Sequence, residues 1–210
     1  MLMSLGLIGT ICILSFRRFG SETGVWTEYV VNFDIVFASA YVFWMLLELK
    51  VARKEIDQGK QTSDFGTCEL YAMGQGLTFL SALWFDSVWT TPGVVHFLGI
   101  FAFVVGVWYR LWAIRTLGRY YSHIVRRVSE HRIIDSGPYR FTRHPAYAGM
   151  IFANLGIVIY FFNWVTLGIF LGLLMPAIFL RILVEEKTLF TIKGYADFSK
   201  NRKRVFPPLW

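Results

Sequence analysis

The sequence predicts an all-α protein, a polytopic membrane helix bundle of about six transmembrane segments ending in a helical hairpin. Three observations predict it. Only 17% of the 210 residues are charged and 55% are hydrophobic, against about 25% charged in a soluble domain. The apolar residues gather into six runs of helix length, approximately 2–16, 31–49, 70–90, 93–114, 145–162 and 164–184. The basic residues lie between those runs: four Lys/Arg from 50 to 60, seven arginines from 115 to 144, and six Lys/Arg from 187 to 204.

The first run is short for a span. Arg17-Arg18 follows it rather than precedes it, so it does not read as a cleaved signal peptide. The third and fourth runs are joined by a tight turn at Thr90-Thr91-Pro92-Gly93, and the fifth and sixth form a hairpin about Asn163-Trp164. Eighteen residues of helix rise only about 27 Å, so this hairpin barely crosses the hydrocarbon. Six spans place all three basic regions on one side, which the positive-inside rule makes cytoplasmic; Arg17-Arg18 then faces outward. The formal net charge of +7 follows from those edges and from contact with anionic lipid headgroups, and a nucleic-acid partner has little support. Cys12 and Cys68 make neither a disulfide framework nor a metal-binding spacing. Without repeats, low-complexity tracts or a soluble second domain, the chain reads as one membrane domain.

The linker 115–144 is rich in aromatic residues and glycine and reads as a structured loop rather than a disordered connector. Val125 to Val128 and Ile133-Ile134 could form short extended pieces. A loop of this kind is where a ligand site is expected. Charged groups at membrane depth are costly and are functional candidates by default. Two such clusters stand out: Arg143-His144 at the mouth of the fifth run, and Arg181 with Glu185-Glu186 at the end of the sixth.

Taken in order, Leu117-Gly118, Ser122-His123, Gly137-Pro138-Tyr139-Arg140, Arg143-His144-Pro145-x-Tyr147-x-Gly149, Arg181 with Glu185-Glu186, and Gly194-Tyr195 through Phe198 to Lys203-Arg204-Val205 resemble the isoprenylcysteine carboxyl methyltransferase family. That family lies within a wider group of membrane methyltransferases that includes phospholipid methyltransferases. The resemblance covers 106–210, about half the chain, and divides it into N-terminal transmembrane helices (1–105) and a methyltransferase catalytic region (106–210). It implies S-adenosylmethionine as cofactor, bound by the C-terminal half, and a lipophilic or lipidated small-molecule acceptor entering from the membrane.

The resemblance implies cofactor contacts at His123, Gly137, Pro138, Tyr139, Arg143, His144, Pro145, Tyr147, Gly149 and Glu186. These residues also make physical sense in those roles. Pro145 suits a first helical turn, where its missing N–H costs nothing. The N–H groups and dipole of that helix start favour an anion such as the methionyl carboxylate, with Arg143 or His144 adding a donor. Gly149 would let the cofactor approach closely, Tyr139 and Tyr147 offer rings and hydroxyls to adenosine, and Glu186 suits the cofactor's cationic groups. Arg143-His144-Pro145 also reads as an ordinary basic helix cap.

Arg181, Glu185 and Asn154 are the candidate catalytic residues. A carboxylate acceptor is ionised at neutral pH and needs a positioning cation, for which Arg181 is suited. An amine or thiol must lose a proton, and Glu185 or His144 could take it. Arg181 and Glu185, four apart on one face, also read as an intrahelical ion pair. Asn154 reads either as interhelical glue or as a polar group facing the acceptor. His96 reads as structural, Arg110 as snorkelling to the surface, and 187–203 as an amphipathic surface helix. Carboxyl O-methylation of an isoprenylcysteine-like acceptor is the best reading. Phospholipid ethanolamine N-methylation is the alternative; a nicotinamide-dependent sterol-type reductase and a non-enzymatic scaffold are alternatives of other classes.

Overall fold

The computed structural model describes residues 25–56, 66–89, 91, 93–118 and 133–206, with the side chains of the first helix described from 33 to 48. The predicted segment 2–16, His123 and the expected strand at 125–128 lie outside the described residues. The described chain is helical: α1 (Val25–Ile56), α2 (Thr67–Trp84), α3 (Val94–Leu117), a 3-10 turn (Gly137–Arg140), α4 (Pro145–Tyr160), α5 (Trp164–Leu189) and α6 (Tyr195–Lys200). The sole β contact among the described residues is an isolated parallel bridge between Thr142 and Lys203. Ile133 and Ile134 form no strand.

Each helix buries a stripe at helical spacing. On α1 it is Asp34, Phe37, Ala38, Tyr41 and Trp44. On α3 it is Gly99, Phe103, Gly106, Arg110 and Ala113, a row with almost no side chain at two of its five positions. That row lets α4 approach backbone to backbone. A Cβ on Gly156 would stand 2.6 Å from both the Gly99 carbonyl oxygen and the Phe103 nitrogen. A Cβ on Gly149 would stand 2.6 Å from the Arg110 nitrogen and the Gly106 oxygen. Small residues that let two backbones meet are the common device of helix pairs in membranes.

Large apolar side chains also face outward. Phe33 and Phe43 on α1, Phe97, Phe101 and Trp108 on α3, and Trp164 and Leu171 on α5 are all exposed. Large exposed apolar faces on several helices are unusual for a soluble monomer and suit lipid. Two described helices, α3 and α5, are long and apolar enough to cross a membrane; α4 is apolar but shorter.

The ends of the helices follow from local chemistry. His96 accepts a hydrogen bond at Nδ1 from the Gly93 N–H (3.2 Å), a structural cap at the start of α3. Its ring also meets that of Tyr160 edge-on. Asn163 caps α5 by accepting from the Thr166 N–H (2.8 Å), which fixes the predicted hairpin. Inside α5, Pro176 has no N–H to give. The helix widens into a π-turn just before it, at Phe170–Leu174, where the Met175 N–H reaches the carbonyl of Phe170.

Two predicted boundaries shift. The expected run 70–90 ends as helix at Trp84, and 85–89 pack onto the α4–α5 turn through Val88 N–H to the Phe162 carbonyl (2.7 Å) and Trp89 Nε1–H to the Ile159 carbonyl (2.9 Å). The expected surface helix 187–203 is broken. α5 runs on to Leu189, and a turn ending at Gly194 (φ 89) precedes the short α6. Gly194 takes a left-handed conformation that a side chain would resist.

Candidate active site

The two charged clusters expected from the sequence come together at one end of the bundle. α4 begins at Pro145, as its missing N–H dictates, and His144 occupies the position before it. α5 arrives antiparallel and presents Glu185 and Glu186 at its end. Glu186 is buried and held on three sides. Arg143 Nη1 lies 2.6 Å from Oε1, Arg204 Nε donates to Oε2 at 2.8 Å, and His144 Nε2 stands 3.4 Å from Oε1. Glu185 accepts from the Tyr147 hydroxyl at 2.9 Å and lies 4.0 Å from His144 Nδ1. Charge-assisted bonds of this length are strong and directional.

Arg204 reaches Glu186 because the chain after α6 returns as a strap beside α4. Arg143 N–H donates to the Lys203 carbonyl (2.9 Å) and His144 N–H to that of Arg204 (2.8 Å). Val205 is buried beneath. The strap therefore orders the backbone of 142–144 as well as adding a cation.

Three polar atoms in this region are buried without a well-formed hydrogen bond among the described residues: Tyr195 Oη and Arg143 Nε, whose side chains are neighbours, and Thr142 Oγ1, near the Tyr109 hydroxyl. Burial, together with the charges of Glu186 and Glu185, pushes the Tyr195 hydroxyl well above its ordinary pKa, so it remains a protonated donor. Buried donors without partners cost stability in a folded protein. A polar, charged ligand would supply what they lack.

The turn Gly137–Arg140 lies under the site. Gly137 has φ 57 and faces the Thr116 hydroxyl, where a Cβ would come within 2.9 Å. Pro138 and Tyr139 are buried, and the Tyr139 ring packs with Ala113, Ala146, Leu117 and Phe198. These three residues form the packed support of the α4 start.

Arg181, one turn before Glu185, is buried and donates from Nη1 to Thr67 Oγ1 at the start of α2 (3.3 Å). It stands within the bundle rather than at its rim.

Three expectations are corrected. Gly149 faces α3, and its missing side chain is used for the close passage of Arg110 and Gly106 rather than for a ligand. Arg110 does not snorkel outward; it is buried and grips Glu48. Asn154 is fully buried, with Nδ2–H donated to the Met150 carbonyl (2.9 Å) and Oδ1 accepting from the Tyr41 hydroxyl (2.8 Å). That is the interhelical-glue reading; both ends of its amide are engaged by the protein.

The structure also adds Arg204 and Tyr195 to the site. Both fall in the stretch of the family pattern that follows α5, which marked the strap without giving its residues a role.

Part of the chain, including the two charged clusters, is similar to known proteins. Residues 97–191 match the model of the Isoprenylcysteine carboxyl methyltransferase (ICMT) family. A Protein-S-isoprenylcysteine O-methyltransferase of Saccharomyces cerevisiae is 35% identical over 110 residues, 51% of this chain and 46% of the relative. Another of that name, from Schizosaccharomyces pombe, is 31% identical over 103 residues, 48% and 43%. An uncharacterised Bacillus subtilis protein, YpbQ, is 32% identical over 93 residues, 44% and 55%. The chain thus spans about half the length of the curated relatives it matches. The acidic pair of α5 and the Arg143-His144-Pro145 start of α4 that it is seated on both lie inside residues 97–191, the stretch that is similar to the isoprenylcysteine carboxyl methyltransferase family.

Proposed function

We propose that this chain is an integral membrane methyltransferase that uses S-adenosylmethionine to O-methylate the carboxylate of an isoprenylcysteine-like lipophilic acceptor. The observation that carries the reading is the joining of Glu185 and Glu186 to Arg143, His144 and Tyr147, with buried donors of Tyr195 and Arg143 beside them that make no well-formed hydrogen bond among the described residues. The proposal includes the polytopic arrangement of about six spans, the site on the cytoplasmic side, and contact with membrane lipids. It also includes the division into an N-terminal bundle and a catalytic region.

The donor set fits the cofactor. S-adenosylmethionine carries two cationic groups and one carboxylate, and when bound it supplies an electrophilic methyl group on a sulfonium. Glu186 and Glu185 would face the cationic groups, and Arg143 and Tyr195 would donate to the carboxylate or to ribose oxygens. Tyr147 holds Glu185 in place. Arg181, its side chain steadied by Thr67, would draw in the acceptor carboxylate and fix the direction of its oxygen. A carboxylate acceptor gives up no proton, so the protein contributes alignment and exclusion of water.

A second reading, N-methylation of an ethanolamine lipid, is favoured by Glu185. Its side chain is 29% exposed and bonded to a neutral hydroxyl, and an accessible carboxylate suits an amine that must lose a proton.

The test is purified protein in lipid nanodiscs, supplied with methyl-labelled S-adenosylmethionine and either a farnesylated cysteine acid or an ethanolamine phospholipid. Alkali-labile label on the cysteine acid, unaffected in kind by Glu185→Gln, supports carboxyl methylation. Alkali-stable label on the lipid, abolished by Glu185→Gln, supports the second reading. Failure of a folded sample to bind S-adenosylhomocysteine or transfer label sinks both.

A further inference from the structure

A second buried charge pair lies on the other flank of α4. Arg110 on α3 meets Glu48 on α1 in a fork: Nε to Oε1 at 2.6 Å and Nη2 to Oε2 at 2.6 Å. The remaining terminal nitrogen, Nη1, donates to the carbonyl of Ala146 at 3.2 Å. Trp44 Nε1–H, one turn before Glu48, donates to the same carboxylate oxygen at 3.2 Å. The Arg110 side chain is 3% exposed. None of the roles assigned above uses this pair, and Glu48 lies outside the stretch matched by the family model.

We propose that Glu48 and Arg110 are positioning residues that clamp the first turn of α4 and thereby set the cofactor site. Ala146 lies between His144, which approaches both Glu185 and Glu186, and Tyr147, which donates to Glu185. Arg110 holds this turn twice. Its side chain takes the Ala146 carbonyl, and its backbone nitrogen packs so close that a Cβ on Gly149 would stand 2.6 Å from it. Both acidic contacts of the site therefore hang on a turn whose other side is fastened to α1. The fork fixes the guanidinium plane, which a single-point contact would leave free to rotate. Through this pair the N-terminal helices act on a site that they do not enter.

The inference rests on the cofactor reading above. Its test separates the two. The full chain in nanodiscs is compared with Glu48→Leu/Arg110→Met and with Arg110→Lys. The double variant removes both charges together, and replacement of a buried ion pair by apolar residues of similar volume commonly preserves folding. Arg110→Lys keeps the charge and loses the fork. S-adenosylhomocysteine affinity by calorimetry, acceptor KM, and amide exchange at residues 146–149 without ligand are measured on each.

The expected result is a rise of about tenfold in the cofactor dissociation constant in both variants. Exchange at 146–149 is faster, and acceptor KM changes less than twofold. Wild-type affinity and exchange in either folded variant would overturn the clamp, whatever its effect on melting temperature. Should the double variant fail to fold, Arg110→Lys decides alone. Failure of the unaltered chain to bind S-adenosylhomocysteine would instead sink the cofactor reading, while the exchange measurement still tests the clamp.

Discussion

Two buried charged clusters flank the start of α4, and they are built on opposite principles. On one side, Glu48 and Arg110 satisfy each other: both carboxylate oxygens are bonded, and three guanidinium nitrogens are engaged. On the other, Glu186 is held by Arg143, Arg204 and His144, yet Tyr195 Oη and Arg143 Nε remain buried without a well-formed hydrogen bond among the described residues. A saturated pair in a low-dielectric interior is rigid and has little left to offer a ligand. A cluster with spare donors carries a standing cost that a ligand can remove. The contrast separates a fastening from a binding site, although both consist of the same residue types.

The largest expected effect is on the unsaturated side. Glu186→Gln removes the charge between two guanidinium groups, with about 3–5 kcal/mol expected for breaking one partner out of a buried pair. Arg204 is 29% exposed, which moves the loss toward the lower figure. S-adenosylhomocysteine affinity should fall at least about a hundredfold, and methyl transfer with it. Calorimetry on a sample with native α-helical circular dichroism checks this; retained affinity would remove Glu186 from the site.

Next comes the wall between the clusters. Gly149→Ala and Gly156→Ala both insert a methyl group against the backbone of α3, and overpacking of this kind costs about 1–3 kcal/mol. Both should lower the melting temperature. Gly149→Ala, beside the first turn, should also weaken cofactor binding several-fold, whereas Gly156→Ala, two turns further on, should not. Equal effects on binding would mean that the position of the first turn does not matter.

How far the sequence reveals this arrangement depends on the range of each interaction. The start of α4 is legible because Pro145 carries its own instruction, and Asn163 likewise marks the start of α5. The meeting of Arg143 and His144 with Glu186 is legible only through the family pattern, since 42 residues separate His144 from Glu186. The role of Gly149 is not legible at all. A glycine that admits a ligand and a glycine that admits a helix are the same letter, and the choice lies in the row of Gly99 and Gly106 opposite. Arg110 is misread as snorkelling for a similar reason: its partner is 62 residues upstream, on a helix outside the pattern. The strap is hidden because its bonds to 143 and 144 are made by backbone atoms, which leave no trace in side-chain chemistry.

A smaller effect distinguishes the two clusters by sign. Tyr195→Phe deletes a buried hydroxyl that makes no well-formed hydrogen bond among the described residues, so the ligand-free protein should become more stable, by about 1 kcal/mol. Cofactor affinity should fall about fivefold, the value of one hydrogen bond. Because burial and the neighbouring carboxylates keep this hydroxyl protonated, the affinity ratio should stay flat from about pH 6 to pH 9. A melting temperature lowered together with unchanged affinity would make Tyr195 structural and would count against the idea that unpartnered donors mark the ligand.

The smallest effect belongs to the uncharged polar contact deeper in the bundle. Tyr41 is fully buried and donates to Asn154 Oδ1 at 2.8 Å, while the amide nitrogen of Asn154 bonds the Met150 carbonyl. Tyr41→Phe leaves the Asn154 Oδ1 acceptor unsatisfied and also removes the hydroxyl's contact with Gln75. Interhelical hydrogen bonds in membranes are worth about 0.6 kcal/mol on average, because the unfolded helices find other partners in the bilayer. The melting temperature should fall slightly, and neither cofactor affinity nor acceptor KM should move by more than about twofold. A several-fold rise in acceptor KM would mean that Asn154 reaches the acceptor after all. The division between saturated and unsaturated polar groups would then fail at a place where both ends of a neutral amide are engaged.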